Sequence, residues 1–120
     1  MTTSERAYQQ LKRRLEQEHE ALLNELKHEL VLNTLVPSTT AIELADLNAL
    51  IKIAGASYLG NLHDLAARLE VVDAAICAMK LGMYGLCTDC EETIELAALE
   101  ADPAQPRCHA CRSHSRYHHD

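Results

Sequence analysis

Leucines recur along the first third of the chain at Leu11, Leu15, Leu22, Leu26 and Leu30, and charged side chains fill most positions between them. Steps of four and seven residues keep these leucines on one side of an α-helix. No Gly or Pro interrupts, Ser4 can cap the start, and Glu5 suits the first turn. The pattern predicts one helix from about Ser4 to Leu35. Val36-Pro37-Ser38-Thr39-Thr40 then breaks it: Pro37 discourages helix at Val36, and the hydroxyls suit a new N-cap. A second helix is predicted from about Ala41 to Leu81. Its later half holds the cleanest repeat in the chain, Leu62, Leu65, Leu69, Val72, Ile76 and Met79. Steps alternating between three and four make a heptad seam. The earlier half is less regular, and Gly55 and Gly60 each weaken a helix by roughly 1 kcal/mol relative to Ala, so a kink or change of packing face is expected there.

Two long consecutive helices with a short link form an antiparallel hairpin. The competing arrangement is an oligomeric coiled coil. Pro37 falls where a turn is needed, which favours the hairpin. The expected fold is all-α: a helical hairpin, or coiled coil, over 1–81 with its tip near 36–46, then a small cysteine-bearing segment over 82–120.

That last segment carries the chemistry. Cys87-Thr88-Asp89-Cys90 and Cys108-His109-Ala110-Cys111 are two C-x-x-C pairs separated by seventeen residues. Each pair can form a tight knuckle that points two sulfurs at one ion, and two knuckles complete a tetrahedron. The spacing predicts a structural Zn2+ held by Cys87, Cys90, Cys108 and Cys111, with no open position for chemistry. Disulfides are the alternative use of the same residues. The segment has few large apolar residues, so it depends on its metal to fold. Pro103 and Pro106 enforce a non-helical return to Cys108, the stretch Glu91 to Glu100 is a short helix or a loop, and Arg112 to Asp120 can continue as a terminal helix.

Composition adds limits. Phe and Trp are absent and Tyr numbers four, which suits helices packed along a narrow seam better than a large globular core. No apolar run resembles a leader peptide or is long enough to span a bilayer, and the cysteine count is odd at five, so a reducing cytoplasm is expected. Cys77 has apolar helical neighbours in Val72, Ile76 and Met79, and is expected to be a small buried hydrophobe. The net charge is −7, and the stretch 87–106 alone holds six acids and no base. A grip on DNA phosphates needs the opposite sign, so sequence-specific DNA binding through this segment is not expected. His109 lies inside the second knuckle and can stand in for an oxidised cysteine, but softness favours sulfur. His114, His118 and His119 belong to an exposed tail. No nucleophile–base arrangement and no Gly-rich phosphate loop is present, and nothing recommends an enzyme.

The stretch Gly82-Met83-Tyr84-Gly85-Leu86-Cys87-Thr88-Asp89-Cys90, with Ile94, Leu99, Ala101, Pro103, Cys108 and Cys111 after it, resembles the zinc-finger signature of the DksA/TraR family. The likeness covers 82–111 without a gap, and the order of helical hairpin and finger also fits. Members of that family are bacterial transcription regulators. The resemblance implies direct binding to RNA polymerase, with the hairpin tip entering the secondary channel to modulate initiation, no reading of DNA, and a bacterial cytoplasmic location. It also brings in guanosine tetraphosphate as a ligand at the polymerase interface, on which the residues are silent.

Three departures qualify it. Glu91 stands where the family usually has Gly after the second cysteine, and a positive φ there costs a non-Gly residue about 1 kcal/mol or slightly more. Ala98 stands where Arg is common. The family tip carries two aspartates three apart and then an alanine. The nearest pattern here is Glu43, Asp46 and Asn48, reached from the finger only through a one-residue gap near Gly55 or Gly60. Glu43 and Asp46 at i and i+3 share a helix face, where they can approach a metal or a basic loop, or serve as acids of a helix's first turn. Two other classes stay open: a protein-interaction or metal-responsive module without an effect on polymerase, and a thiol redox sensor.

Overall fold

The computed structural model describes residues 3–33, 35, 43, 45–57 and 59–114. Among them the chain is mostly helical and forms no strand beyond an isolated antiparallel bridge between Leu86 and Thr93. Five helices have bounds among the described residues: α1 Thr3–Leu32, α2 Leu47–Ala56, α3 Gly60–Lys80, α4 Leu96–Ala101 and α5 His109–His114. The link expected at 36–42, including Pro37, lies outside the described residues. So do the last six residues, with His118 and His119. No helix among the described residues is long and apolar enough to cross a membrane.

The chain divides into two compact units, Met1–Glu16 with Asp73–Asp120, and Gln17–Val72. The division does not fall at the expected 81/82 boundary, because the start of α1 and the end of α3 pack with the cysteine segment.

The Gln17–Val72 unit is built on the leucine repeat. Leu26, Leu30, Leu50, Ala54, Leu62, Ala66 and Leu69 form one buried cluster, edged by Leu22, Ile51, Ile53 and Leu65. Fully burying a leucine stabilises by roughly 1.5–3 kcal/mol, so this cluster dominates the unit. Two polar contacts show the relative direction of its helices. Glu18 takes a two-pronged ion pair from Arg68 at 2.6 and 3.0 Å, and Glu29 accepts from Asn61 at 3.5 Å. As the number rises along α1 it falls along α3.

The second helix is broken outright between Gly55 and Gly60, where a kink or change of packing face was expected. It stops at Ala56 and restarts at Gly60. Neither glycine causes the stop. Ser57 does: its backbone is extended (φ −74°, ψ 151°), its N–H donates to the Ala54 carbonyl, and its Oγ accepts from the Leu59 N–H at 3.0 Å. The His63 ring nitrogen Nε2 meets the Ser57 carbonyl. Ser57 is thereby buried with its polar groups satisfied. A hydroxyl that bonds its own backbone offers the chain an alternative to helix, and here the alternative wins.

The other unit packs the start of α1 and the end of α3 against the cysteine segment. Leu11, Leu15, Met79, Ile94 and Leu99 are buried, as are Cys87 and Cys108. Tyr8 and Tyr84 meet edge to face with centroids 6.0 Å apart, and Tyr84 donates its hydroxyl to the Pro103 carbonyl at 2.7 Å. Arg14 donates to the Glu100 carbonyl at 2.7 Å. The expectation for Cys77 is overturned: it is exposed, with its sulfur 3.9 Å from Asp73 Oδ2. On a helix turning about 100° per residue it lies well round from Ile76, so apolar neighbours in sequence did not put it on the buried face.

Candidate metal centre

The site begins where α3 ends. Leu81 is followed by Gly82 at φ +73°, the Gly82 N–H donates to the Met79 carbonyl at 3.2 Å, and the Met83 N–H donates to Ala78 at 2.8 Å. This pair of bonds is a Schellman stop, and it needs a residue free to take positive φ. The chain then turns into a short ribbon. The Ile94 N–H donates to Gly85 at 2.7 Å, and the Cys87 N–H donates to Glu92 at 2.8 Å. Gly85 sits at φ +88°.

Between those bonds lies the first knuckle. The Glu91 N–H closes back on the Cys87 carbonyl at 2.9 Å, and Glu91 itself takes φ +64°. The expected positive φ is therefore present, on a glutamate. Left-handed backbone costs such a residue roughly 1–2 kcal/mol, which the ribbon and the buried Cys87 and Ile94 must offset.

The second knuckle is the entry to α5. Its approach is fixed by two local side-chain turns: Asp102 Oδ1 accepts from the Ala104 N–H, and Gln105 Oε1 accepts from the Arg107 N–H. The Thr88 N–H donates to the Pro106 carbonyl at 2.8 Å, which ties the first knuckle to the approach to the second. The Arg112 N–H bonds the Cys108 carbonyl as the first turn of α5 closes.

The result brings together all four cysteines expected as ligands. The sulfurs of Cys87, Cys90, Cys108 and Cys111 all lie within 4.8 Å of one another, and those of Cys90 and Cys108 are 3.7 Å apart. A tetrahedral ion with bonds of about 2.3 Å requires sulfur–sulfur edges of about 3.8 Å. The donor set and its spread thus fit one thiophilic ion, and the group can hold a metal. All five cysteines are free thiols. His109, exposed on α5, does not join the group.

Electrostatics point the same way. Burial opposes ionisation of Cys87, but the N–H groups of Cys108, Cys90 and Asp89 and the Cys111 thiol outweigh it and bring it down to about 6. Cys111 is pushed up by the thiols of Cys90 and Cys87, by burial and by Cys108. At Cys90 the Glu92 backbone favours the thiolate, yet burial with Cys87 and Cys108 raises it. One thiolate forms readily and its neighbours then resist. A divalent cation at the centre removes that conflict, because it stabilises all four thiolates together.

The residues expected at the tip are placed differently. Glu43 is helical and exposed. Asp46 is outside any helix: it is the N-cap of α2, with φ −79° and ψ 168°, and its Oδ1 accepts from the Ala49 N–H at 2.8 Å. Asn48 is exposed in the first turn of α2. Glu43 and Asp46 therefore do not share one helix face. Sequence reasoning also missed Glu95, whose Oε1 accepts from the His109 N–H at 3.1 Å and from Arg112 Nη2 at 3.0 Å. Contacts across fourteen and seventeen residues leave no periodic trace in the sequence.

No family model, curated protein or solved structure matches this chain.

Proposed function

We propose that this chain is a zinc-stabilised transcription regulator of the DksA/TraR type, which binds RNA polymerase directly and presents the link between its long helices to the secondary channel to modulate initiation. The observation that carries the reading is the convergence of Cys87, Cys90, Cys108 and Cys111, within 4.8 Å, on a frame that resembles that family's finger. Zn2+ is the ion proposed, since four thiolates suit a borderline-soft cation with no geometric demand of its own.

Two further features support it. The opposed numbering of the Glu18–Arg68 and Glu29–Asn61 contacts is what an antiparallel helical hairpin produces. The one-residue gap needed to align Glu43, Asp46 and Asn48 with the family tip is assigned near Gly55 or Gly60, and the helix break between those residues is compatible with it. There the chain leaves the helix, so a change of length shifts no seam. In this reading the protein acts without sequence-specific DNA contact, in a bacterial cytoplasm, and guanosine tetraphosphate joins at the polymerase interface.

A second reading has an observation of its own. The Asp46 carboxylate is engaged as a helix cap, which favours an interaction module that binds a partner without the tip's full effect. One experiment separates the two. Core RNA polymerase should retain the full-length chain at micromolar concentration, and initiation should change at a promoter with short-lived open complexes. Glu43→Ala with Asp46→Asn removes both charges and keeps the cap, because Asn caps as well as Asp. Loss of the effect with binding intact supports the tip. Retention of both leaves the tip without a role, and absence of binding removes the polymerase reading.

A further inference from the structure

We propose that Glu95 is a positioning residue for the second cysteine pair and sets how long the site retains its ion; the inference rests on the metal-binding reading above. Glu95 occupies the N-cap position of α4 with extended backbone (φ −63°, ψ 140°), yet its side chain makes no cap bond to that helix. It reaches instead to the start of α5. There Oε1 accepts from the His109 N–H at 3.1 Å and from the Arg112 guanidinium at 3.0 Å.

Those donors flank the sulfur ligands. His109 directly follows Cys108, and Arg112 directly follows Cys111. A single oxygen therefore holds the turn that carries both sulfurs, although Glu95 touches neither. Ion loss frees the sulfurs in steps and is helped when one pair moves away from the other. For the second pair that motion breaks both Glu95 bonds. Partners bonded directly to a metal ligand typically change metal affinity by about 10- to 100-fold when removed, and Glu95, one residue further out, belongs at the low end of that range.

A second cross-knuckle contact offers a contrast. Arg107 and Asp89 are part-exposed and 3.9 Å apart, beyond hydrogen-bond distance, a geometry that contributes little. The Glu95–Arg112 pair is also part-exposed, so added salt weakens it. Glu95 thereby makes ion release sensitive to ionic strength.

The test loads the full-length chain with Zn2+ or Co2+ and follows transfer to excess chromogenic chelator. Glu95→Ala should release the ion about tenfold faster, with the Co2+–thiolate spectrum unchanged because all four sulfurs remain. Glu95→Gln keeps an acceptor for the His109 N–H but loses the attraction to Arg112. It should fall between Glu95→Ala and the wild type. Salt should accelerate release from the wild type and not from Glu95→Gln or Arg112→Gln. Arg107→Gln should behave as the wild type. Wild-type release rates in Glu95→Ala, or an unchanged salt response in Glu95→Gln, overturn the proposal. Should Glu95→Ala not fold, the salt response of Glu95→Gln and Arg112→Gln decides. A wild-type chain that binds neither ion removes the metal reading itself, before any variant is compared.

Discussion

The two compact units of this chain solve the same problem by different means. Gln17–Val72 buries Leu26, Leu30, Leu50, Leu62 and Leu69 on helices whose apolar positions recur every three or four residues. Its stability is spread over many similar contacts. The cysteine unit has a shorter apolar inventory beyond residue 81, chiefly Ile94 and Leu99. Its remaining order comes from α4 and α5, each of six residues, a ribbon with one bridge, and backbone-bonded turns. Short helices are marginal in water, and so small a segment needs a crosslink. Four converging thiols supply the means for one. Where apolar repetition runs out, the chain concentrates its stabilisation at a point.

The widest separation between the units should come from removing that point. Chelation of the ion, or Cys87→Ser, should unfold most of the segment from Gly82 onward, because binding free energy in such sites is folding free energy, about 10–16 kcal/mol for structural zinc at neutral pH. The Gln17–Val72 core should keep slow amide exchange. Uniform exchange through both units would erase the contrast. Leu30→Ala makes the converse test. A fully buried leucine cut to alanine costs about 2–5 kcal/mol, read as a lower urea midpoint, and the ion should still bind at one equivalent per chain. Loss of metal in that variant would mean the units stand or fall together.

Smaller changes sharpen the picture within the cysteine unit. Glu91→Gly relieves left-handed strain, partly offset by the greater freedom of the unfolded chain, so a net gain of about 0.5–1 kcal/mol is expected in thermal melts of the loaded protein. A loss would place a function in the Glu91 side chain. Tyr84 adds a pH dependence with a definite sign. Burial, then the Asp102 carboxylate, push its phenol up to about 12, against an opposing Arg14. The folded pKa is raised, so the stabilisation by neutral Tyr84 is complete below about pH 10 and is lost as pH rises through 12. Tyr84→Phe should remove that alkaline decline, measured as the difference in melting temperature between pH 9 and 12. An identical decline in the variant would assign it elsewhere.

What the sequence disclosed divides along the same lines. The leucine seam was legible because burial follows helical period: Leu11, Leu15, Leu26, Leu30, Leu62, Leu69 and Val72 are all buried. The cysteine group was legible because a knuckle is a local turn, and its spacing survives in the sequence. The interruption after Ala56 was legible only in part: Gly55 and Gly60 marked a weak stretch, but the Ser57 hydroxyl and the ring six residues on that hold the break left no signal of their own. The charged pair at 43 and 46 was expected on a helix face, but acids favour helix starts, and Asp46 took the cap. Glu95 escaped because its partners are brought near only by the fold.

The solvent-facing thiol of Cys77 stands apart from the other four, and this gives the molecule an internal gauge. A colorimetric thiol reagent added to the loaded protein should count one fast-reacting group, and a second, slower phase of four should track the departure of the ion. The stoichiometry of the two phases reports average occupancy without a label or a variant.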